Sequence, residues 1–265
     1  MVRRALGSDD SERPRYLEPR SPVIFPESAE MPESQLHLEL RTILYQLLTD
    51  HLGAEVTVGS DQFVYFDAAN PRVCVAPDVY VRLNPRGAPV RSWKTWERGS
   101  PEIAVEIISD DDSGDADWAT KLGRYQRLGV AELVRFDPEC TAGAKLRIWD
   151  RVDGSLLERE VRAERAPSLI LNLDWVVAPA DGFEIALRVL VPAGSQPEQL
   201  VLTRAEARRA EAEARRAEAE ARRVEAEARR VEAEARRMET EARMAAEARV
   251  RELEAELARR PPERS

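Results

Sequence analysis

Three polar residues stand where their surroundings demand an explanation. Asp78 follows Pro77 and leads directly into Val79-Tyr80-Val81, and Glu106 interrupts the apolar run Ile103-Ala-Val-Glu-Ile-Ile. Lys121 lies on an amphipathic stretch shortly afterwards. A lone carboxylate in an apolar strand is costly to bury unless it is paired or metal-bound. Lys121 is one of only three lysines, with Lys94 and Lys145, against 37 arginines. A compact ammonium can hydrogen-bond a single water and shift its pKa, which a guanidinium does poorly. Two carboxylates on neighbouring strands plus a lysine are the parts of a Mg²⁺ phosphodiesterase site. Mg²⁺ takes hard oxygen ligands and keeps several waters. It polarises the phosphate and acidifies an attacking water, which the lysine orients. Taken singly, each residue has an ordinary structural reading as a turn, a salt-bridged strand or a solvated helix. Their ordered combination carries the argument.

The elements that must position them follow from periodicity. From Ser34 onward, Leu36, Leu40, Ile43, Leu44, Leu47 and Leu48 recur at three- and four-residue spacing, one face of a helix that Leu52-Gly53 would end. The period then changes to two over 54–58, 62–66 and 79–83, rich in β-branched residues. The run from Ile103 reads as a central strand, Trp118–Leu128 as a helix stopped by Gly129, and 133–136, 146–149 and 183–191 as further strands. The pattern predicts an α/β or α+β body covering roughly 30–195. Before it lies a leader, 1–28, rich in Arg, Pro, Ser and Glu and read as mostly disordered, with a short ordered piece expected at Pro22–Phe25.

The last 65 residues are a different object. Residues 201–265 hold 17 Arg and 16 Glu, leaving the first 200 with 23 basic and 33 acidic side chains, a net charge of −10. A seven-residue repeat of Arg-Arg-Ala-Glu-Ala-Glu-Ala type, with Ala217, Val224, Val231 and Met238 in one slot, predicts a long helix over 196–260, closed by Pro261-Pro262 and a 261–265 tail. Thr203-x-x-Glu206 and Ser195-x-x-Glu198 are alternative capping boxes at its start. Ala214/Ala217, Ala221/Val224, Ala228/Val231 and Ala235/Met238 fall at the spacing of a narrow coiled-coil seam. A solvated single helix, a dimeric coiled coil and a partner-binding helix all remain open.

Composition excludes other classes. No apolar run approaches the ~18 residues of a membrane span, and the N-terminus carries no apolar signal region. Two cysteines, Cys74 and Cys140, make no disulfide framework, and two histidines, His37 and His51, make no His-rich metal site. A cytoplasmic protein is expected.

The body resembles a known family. Pro77-Asp78-Val-Tyr-Val, Pro101-Glu-Ile-Ala-Val-Glu106-Ile-Ile-Ser109, Asp117-x-x-x-Lys121-Leu-x-x-Tyr125, Gly129-Val-Ala-Glu132-Leu and Phe136-Asp137-Pro138 are similar, in order and spacing over about 33–190, to the Uma family of restriction endonucleases, part of the PD-(D/E)XK nuclease superfamily. The resemblance implies a restriction-endonuclease-like core, a mixed sheet flanked by helices, over 29–195. It implies Asp78 and Glu106 as ligands of Mg²⁺ or Mn²⁺, with the backbone carbonyl of Ile107 as a third. The superfamily's lysine two residues after the second carboxylate is here Ile108; Lys121 matches the place to which Uma-like sequences move it. Asp117 matches a recurring acidic position beside Lys121 or a metal-bound water. His37 matches a familiar position on the first helix, but neither it nor Glu33 is given a catalytic role. Ser109-Asp-Asp-Asp-Ser-Gly departs from the usual Ser-Pro-Ser-Thr.

The expected activity is metal-dependent endonucleolytic cleavage of DNA, with Lys121 positioning the attacking water. The alternative is a non-catalytic scaffold on a nuclease-like core that works through its C-terminal helix. A homodimer through residues 203–260 would supply the two sites a double-strand cut needs. The negative body is awkward for phosphate binding. Arg82, Arg86, Arg91, Lys94 and Arg98 form the run that would compensate, and its ordinary reading is a solvated loop.

Overall fold

A computed structural model describes residues 34–108, 115–194 and 196–258, and the chain divides into two units, 1–203 and 204–265. The leader, Glu33, the 109–114 acidic stretch, Ser195 and the 261–265 tail lie outside the described residues.

The first unit is built on one six-stranded sheet. Helix α1 (Gln35–Leu52) is capped by Ser34, whose hydroxyl accepts from the His37 N–H at 3.1 Å, and it ends where Gly53 takes φ +69°. Strand β1 (Thr57–Ser60) pairs antiparallel with β4 (Val79–Arg82), and β4 pairs antiparallel with β6 (Ile103–Ile107). β6 runs parallel to β7 (Glu132–Phe136), so the intervening α3 (Asp115–Leu128) is the crossover. β8 (Leu146–Val152) and β9 (Ser155–Arg159) extend the far edge antiparallel, giving the order β1-β4-β6-β7-β8-β9. This mixed sheet with helices is the expected architecture. A three-stranded sheet is formed by β2 (Val64–Tyr65), β3 (Cys74–Val75) and β5 (Trp93–Lys94), the last followed by the single turn α2 (Thr95–Arg98).

A second, four-stranded antiparallel sheet follows: β10 (Arg165–Pro167), β11 (Asp174–Ala180), β12 (Phe183–Val191) and β13 (Gln199–Leu200). Sequence periodicity finds only β12 of these. Pro179 within β11 demotes that run, because proline cannot donate to a ladder. The strand accommodates it at a register shift between Ala178 and Ala180. Two boundaries also move: the 54–58 run begins in a 3₁₀ turn (Gly53–Glu55) and enters β1 only at Thr57, and 62–66 shortens to β2.

Two cores explain why β6 carries apolar residues on both faces. Ile103, Val105 and Ile107 pack with Leu40, Leu44 and Leu48 of α1 and with Trp175, Leu187 and Val189 of the second sheet. Ala104 and Ile108 pack on the opposite face with Trp118, Tyr125 and Leu128 of α3. A strand covered on both faces reads as a continuous apolar run. Period two then puts Glu106, which lies between Ala104 and Ile108, on the α3 side.

The second unit is α4 (Arg204–Ala258), 55 residues and about 83 Å long. Its side chains from Ala207 through Ala255 are exposed, including Val224, Val231 and Met238. Glu211–Arg215, Glu218–Arg222, Glu225–Arg229 and Glu232–Arg236 pair at 2.5–2.6 Å along the helix. Each adds a few tenths of a kcal/mol, so the helix is supported without a partner. Over 207–241 every position flanking the Ala/Val/Met seam is glutamate, Glu218, Glu220, Glu225 and Glu227 among them, and the arginines occupy the far side. Symmetric pairing of two seams, parallel or antiparallel, sets glutamate against glutamate. Among the described residues, no helix is long and apolar enough to cross a membrane.

Candidate active site

Glu106, 2 % exposed, enters the space between the sheet and α3 at the parallel β6–β7 step. Two donors from α3 meet it: the Lys121 ammonium lies 2.9 Å from Oε2, and the Tyr125 hydroxyl donates to Oε1. Lys121 and Tyr125 are four residues apart on one helix face with Trp118 and Leu128, so the packing that seats α3 also aims both groups. Lys121 is 30 % exposed and Glu106 only 3 % by side chain, so the carboxylate is the dry partner and the ammonium the wet one.

Asp78 completes the cluster from the neighbouring strand. β4 and β6 pair with Val79 opposite Val105; continued by one residue, that register sets Asp78 opposite Glu106, on the same face. Its Oδ2 accepts the Ile107 N–H at 2.7 Å, and its own carbonyl accepts the Ser60 hydroxyl of β1 at 2.7 Å. Its Oδ1 lies 2.6 Å from Nε2 of His37, on the first turn of α1. With Asp78 ionised, that nitrogen carries the proton. The Ile108 N–H bonds the Phe136 carbonyl of β7, so Ile107, one residue earlier, turns its backbone groups to the other edge. An extended residue sends its N–H and C=O out on the same edge, so the Ile107 carbonyl leaves toward Asp78.

The electrostatics follow from burial. Desolvation pushes the Glu106 carboxyl from its ordinary 4.5 up to about 7, against the pull of Lys121, and the nearby Asp78 charge pushes the same way as burial. Tyr125 is raised well above 10, chiefly by burial and then by the Glu106 charge, so it stays a donor. Two carboxylates crowded in a dry site, with a backbone carbonyl beside them, form a hard-oxygen set that a dication would relieve and that fits Mg²⁺. Among the described residues, no three or more His, Cys, Asp and Glu side chains cluster to hold a metal. A Mg²⁺ held here would take two carboxylates and main chain from the protein and would retain water.

Asp78, Glu106, Ile107 and Lys121 thus come together. Asp117 is exposed and makes no hydrogen bond or ion pair among the described residues. His37 and Tyr125 join the cluster although neither was assigned a part from sequence. Tyr125 was legible in principle, one helical turn beyond Lys121. His37 was not, because its contact spans 41 residues of chain. Glu132, in the Gly129-Val-Ala-Glu132-Leu motif, stands apart. It is fully buried and accepts from Trp175 Nε1 at 2.7 Å, Ser168 Oγ at 2.9 Å and the Leu169 N–H at 3.1 Å, fastening β7 to the second sheet.

The sequence profile of the Uma2 family, described as "Putative restriction endonuclease", matches residues 25–187. Among solved structures, a protein from Anabaena variabilis described as a putative nuclease belonging to DUF820 is similar at 12 % identity, over 58 % of this chain and 76 % of that one, with a TM-score of 0.36. No curated protein matches the chain.

Proposed function

The chain belongs to the Uma2 family, and on that footing we propose that it is a divalent-metal-dependent endonuclease that hydrolyses phosphodiester bonds of DNA. The observation that supports this most directly is the convergence of Asp78, Glu106 and Lys121 on one face of the sheet, with Lys121 Nζ 2.9 Å from Glu106.

In this reading Asp78, Glu106 and the Ile107 carbonyl hold Mg²⁺, or Mn²⁺ in its place. The bound ion would polarise the scissile phosphate and lower the pKa of a water. Lys121 is the partly exposed member of its pair, so its ammonium can hold an attacking water at the mouth of the site while its stem stays on α3. His37 occupies Asp78 Oδ1, leaving that oxygen one further lone pair and fixing the direction in which it points. Tyr125 does the same for Glu106 Oε1. Asp117, one turn before Lys121 on α3, is kept as an outer acidic residue that a side-chain rotation would bring to Lys121.

A homodimer would supply two sites for a double-strand cut. The glutamate rows beside the α4 seam oppose symmetric pairing there, so such a dimer would form through another surface. The exposed Val224, Val231 and Met238 strip favours a second role for α4, docking to a different partner.

Supercoiled plasmid incubated with Mg²⁺ or Mn²⁺ tests the proposal. Intact protein should nick it only with metal, and Asp78→Ala and Lys121→Ala should each lose at least about a hundredfold in rate. Equal behaviour of all three proteins would refute the assignment.

A further inference from the structure

A concave feature lies beside this cluster. A cleft of about 500 Å³ opens at the β1 edge of the main sheet, lined by Arg41 and Tyr45 of α1, Tyr80 of β4, Trp93 of β5, and Arg86 and Arg98. It adjoins the carboxylates through two strands. Ser60, which also lines the cleft, holds the Asp78 carbonyl, and Tyr80 lies two residues along β4 from Asp78 on the same face, about 7 Å away. Gly59 makes the arrangement possible, because a Cβ there would overlap the Tyr80 ring.

Several arginines of the body are already spent on internal partners. Arg82, Arg135, Arg147, Arg159 and Arg165 all sit on carboxylates, and Arg151 and Arg188 on backbone carbonyls. Arg41 is matched by Asp61 at 2.9 Å, which leaves that rim acid neutralised. Arg86 and Arg98 have no carboxylate partner among the described residues. Arg98 lies over the Trp93 ring at 5.6 Å, and its guanidinium comes within 3.6 Å of where a Cβ on Gly87 would stand, so the 84–90 loop and α2 converge on the cleft. In a body of net charge −10, two guanidiniums without a carboxylate partner lining one cleft are a local reversal of sign. Guanidinium forks suit phosphate oxygens.

We infer that the Arg86/Arg98 cleft is a phosphate subsite for the nucleic-acid strand, taking the backbone next to the phosphodiester held at Asp78 and Glu106. The inference rests on the nuclease reading for its choice of ligand. It resolves the charge conflict of the body: affinity comes from two placed contacts and not from net charge. It also divides the basic run seen in the sequence, since Arg82 is spent on Glu102 and Lys94 lies 3.6 Å from Glu97.

The test is equilibrium binding of the full chain to a fluorescein-labelled 20-base-pair DNA duplex in EDTA, followed by anisotropy across a KCl titration. Arg86→Gln/Arg98→Gln is compared with wild type and with Arg147→Gln/Arg162→Gln, a charge-matched pair elsewhere on the surface. Each lost phosphate contact lowers the slope of log K against log salt by ~0.9. The cleft variant should therefore bind at least about tenfold more weakly at low salt, with a slope shallower by ~1.8, while the control pair tracks wild type. Equal affinity and slope for wild type and cleft variant, or a wild type that binds no duplex, overturns the subsite. The plasmid assay is read separately. Cleavage with an unaltered salt slope leaves the nuclease standing and removes the subsite. A lost slope without cleavage does the reverse.

Discussion

Replacing Glu106 by glutamine should abolish cleavage and yet stabilise the body. The folded chain holds the Glu106 carboxyl near 7, against 4.5 in the unfolded chain. A carboxyl raised in this way makes the folded state the tighter proton binder, so its cost is absent below about pH 4.5 and fully present above about pH 7. At about 1.4 kcal/mol per pH unit, keeping this carboxylate ionised at pH 8 costs the fold about 3 kcal/mol. Glutamine is neutral and nearly isosteric. Its carbonyl oxygen can face Lys121 while the Tyr125 hydroxyl turns to accept from the amide, and Lys121 is wet enough to keep its charge in water. The variant should therefore melt higher at pH 8, by roughly 6–12 °C for a domain of this size. The gap should fall below about 1 kcal/mol at pH 5. Tryptophan emission is the assay, because all five tryptophans lie between Trp93 and Trp175 and α4 is silent. Adding Mg²⁺ should raise the melting temperature of wild type alone, by mass action on the folded state. A variant that melts at or below wild type at pH 8, or a gap that ignores pH, would refute the view that a strained, ionised Glu106 is maintained for ligation.

Two further outcomes follow from the packing and the charge pattern. Glu132→Leu leaves Trp175 Nε1, the Ser168 hydroxyl and the Leu169 N–H without their acceptor in the core. It should cost about 3–5 kcal/mol in urea unfolding; a loss under about 1 kcal/mol would mean that Glu132 does not fasten the two sheets. A peptide of residues 204–258 should sediment as a helical monomer, and changing Glu220, Glu227, Glu234 and Glu241 to lysine should promote pairing by setting lysine against glutamate. Dimerisation of the unaltered peptide would show that the apolar seam outweighs its acidic flanks.

Much of this was legible in local pattern. The three- and four-residue spacing of the leucines from 36 to 48 requires a buried helix face, and the twofold-covered run around Glu106 can only be an interior strand. The Arg/Glu/Ala heptads specify a helix whatever surrounds them, because their support lies within four residues along the chain. Asp78, Glu106 and Lys121 were visible as residue types in costly or unusual settings. Their meeting was not, and neither was the His37 bond to Asp78 nor the placing of Arg86 and Arg98 beside an open cleft while Arg82 is consumed by Glu102. Those depend on strand register, on the crossover that lays α3 over β6, and on which carboxylate happens to fold within reach of which arginine. Periodicity reports which face of an element is buried; it carries no information about what is brought to that face from distant parts of the chain. The sequence alone determined the long helices, the apolar strands around the site and the candidate chemistry; only the tertiary structure added the short and irregular strands and decided which charges neutralise one another and which are left facing solvent.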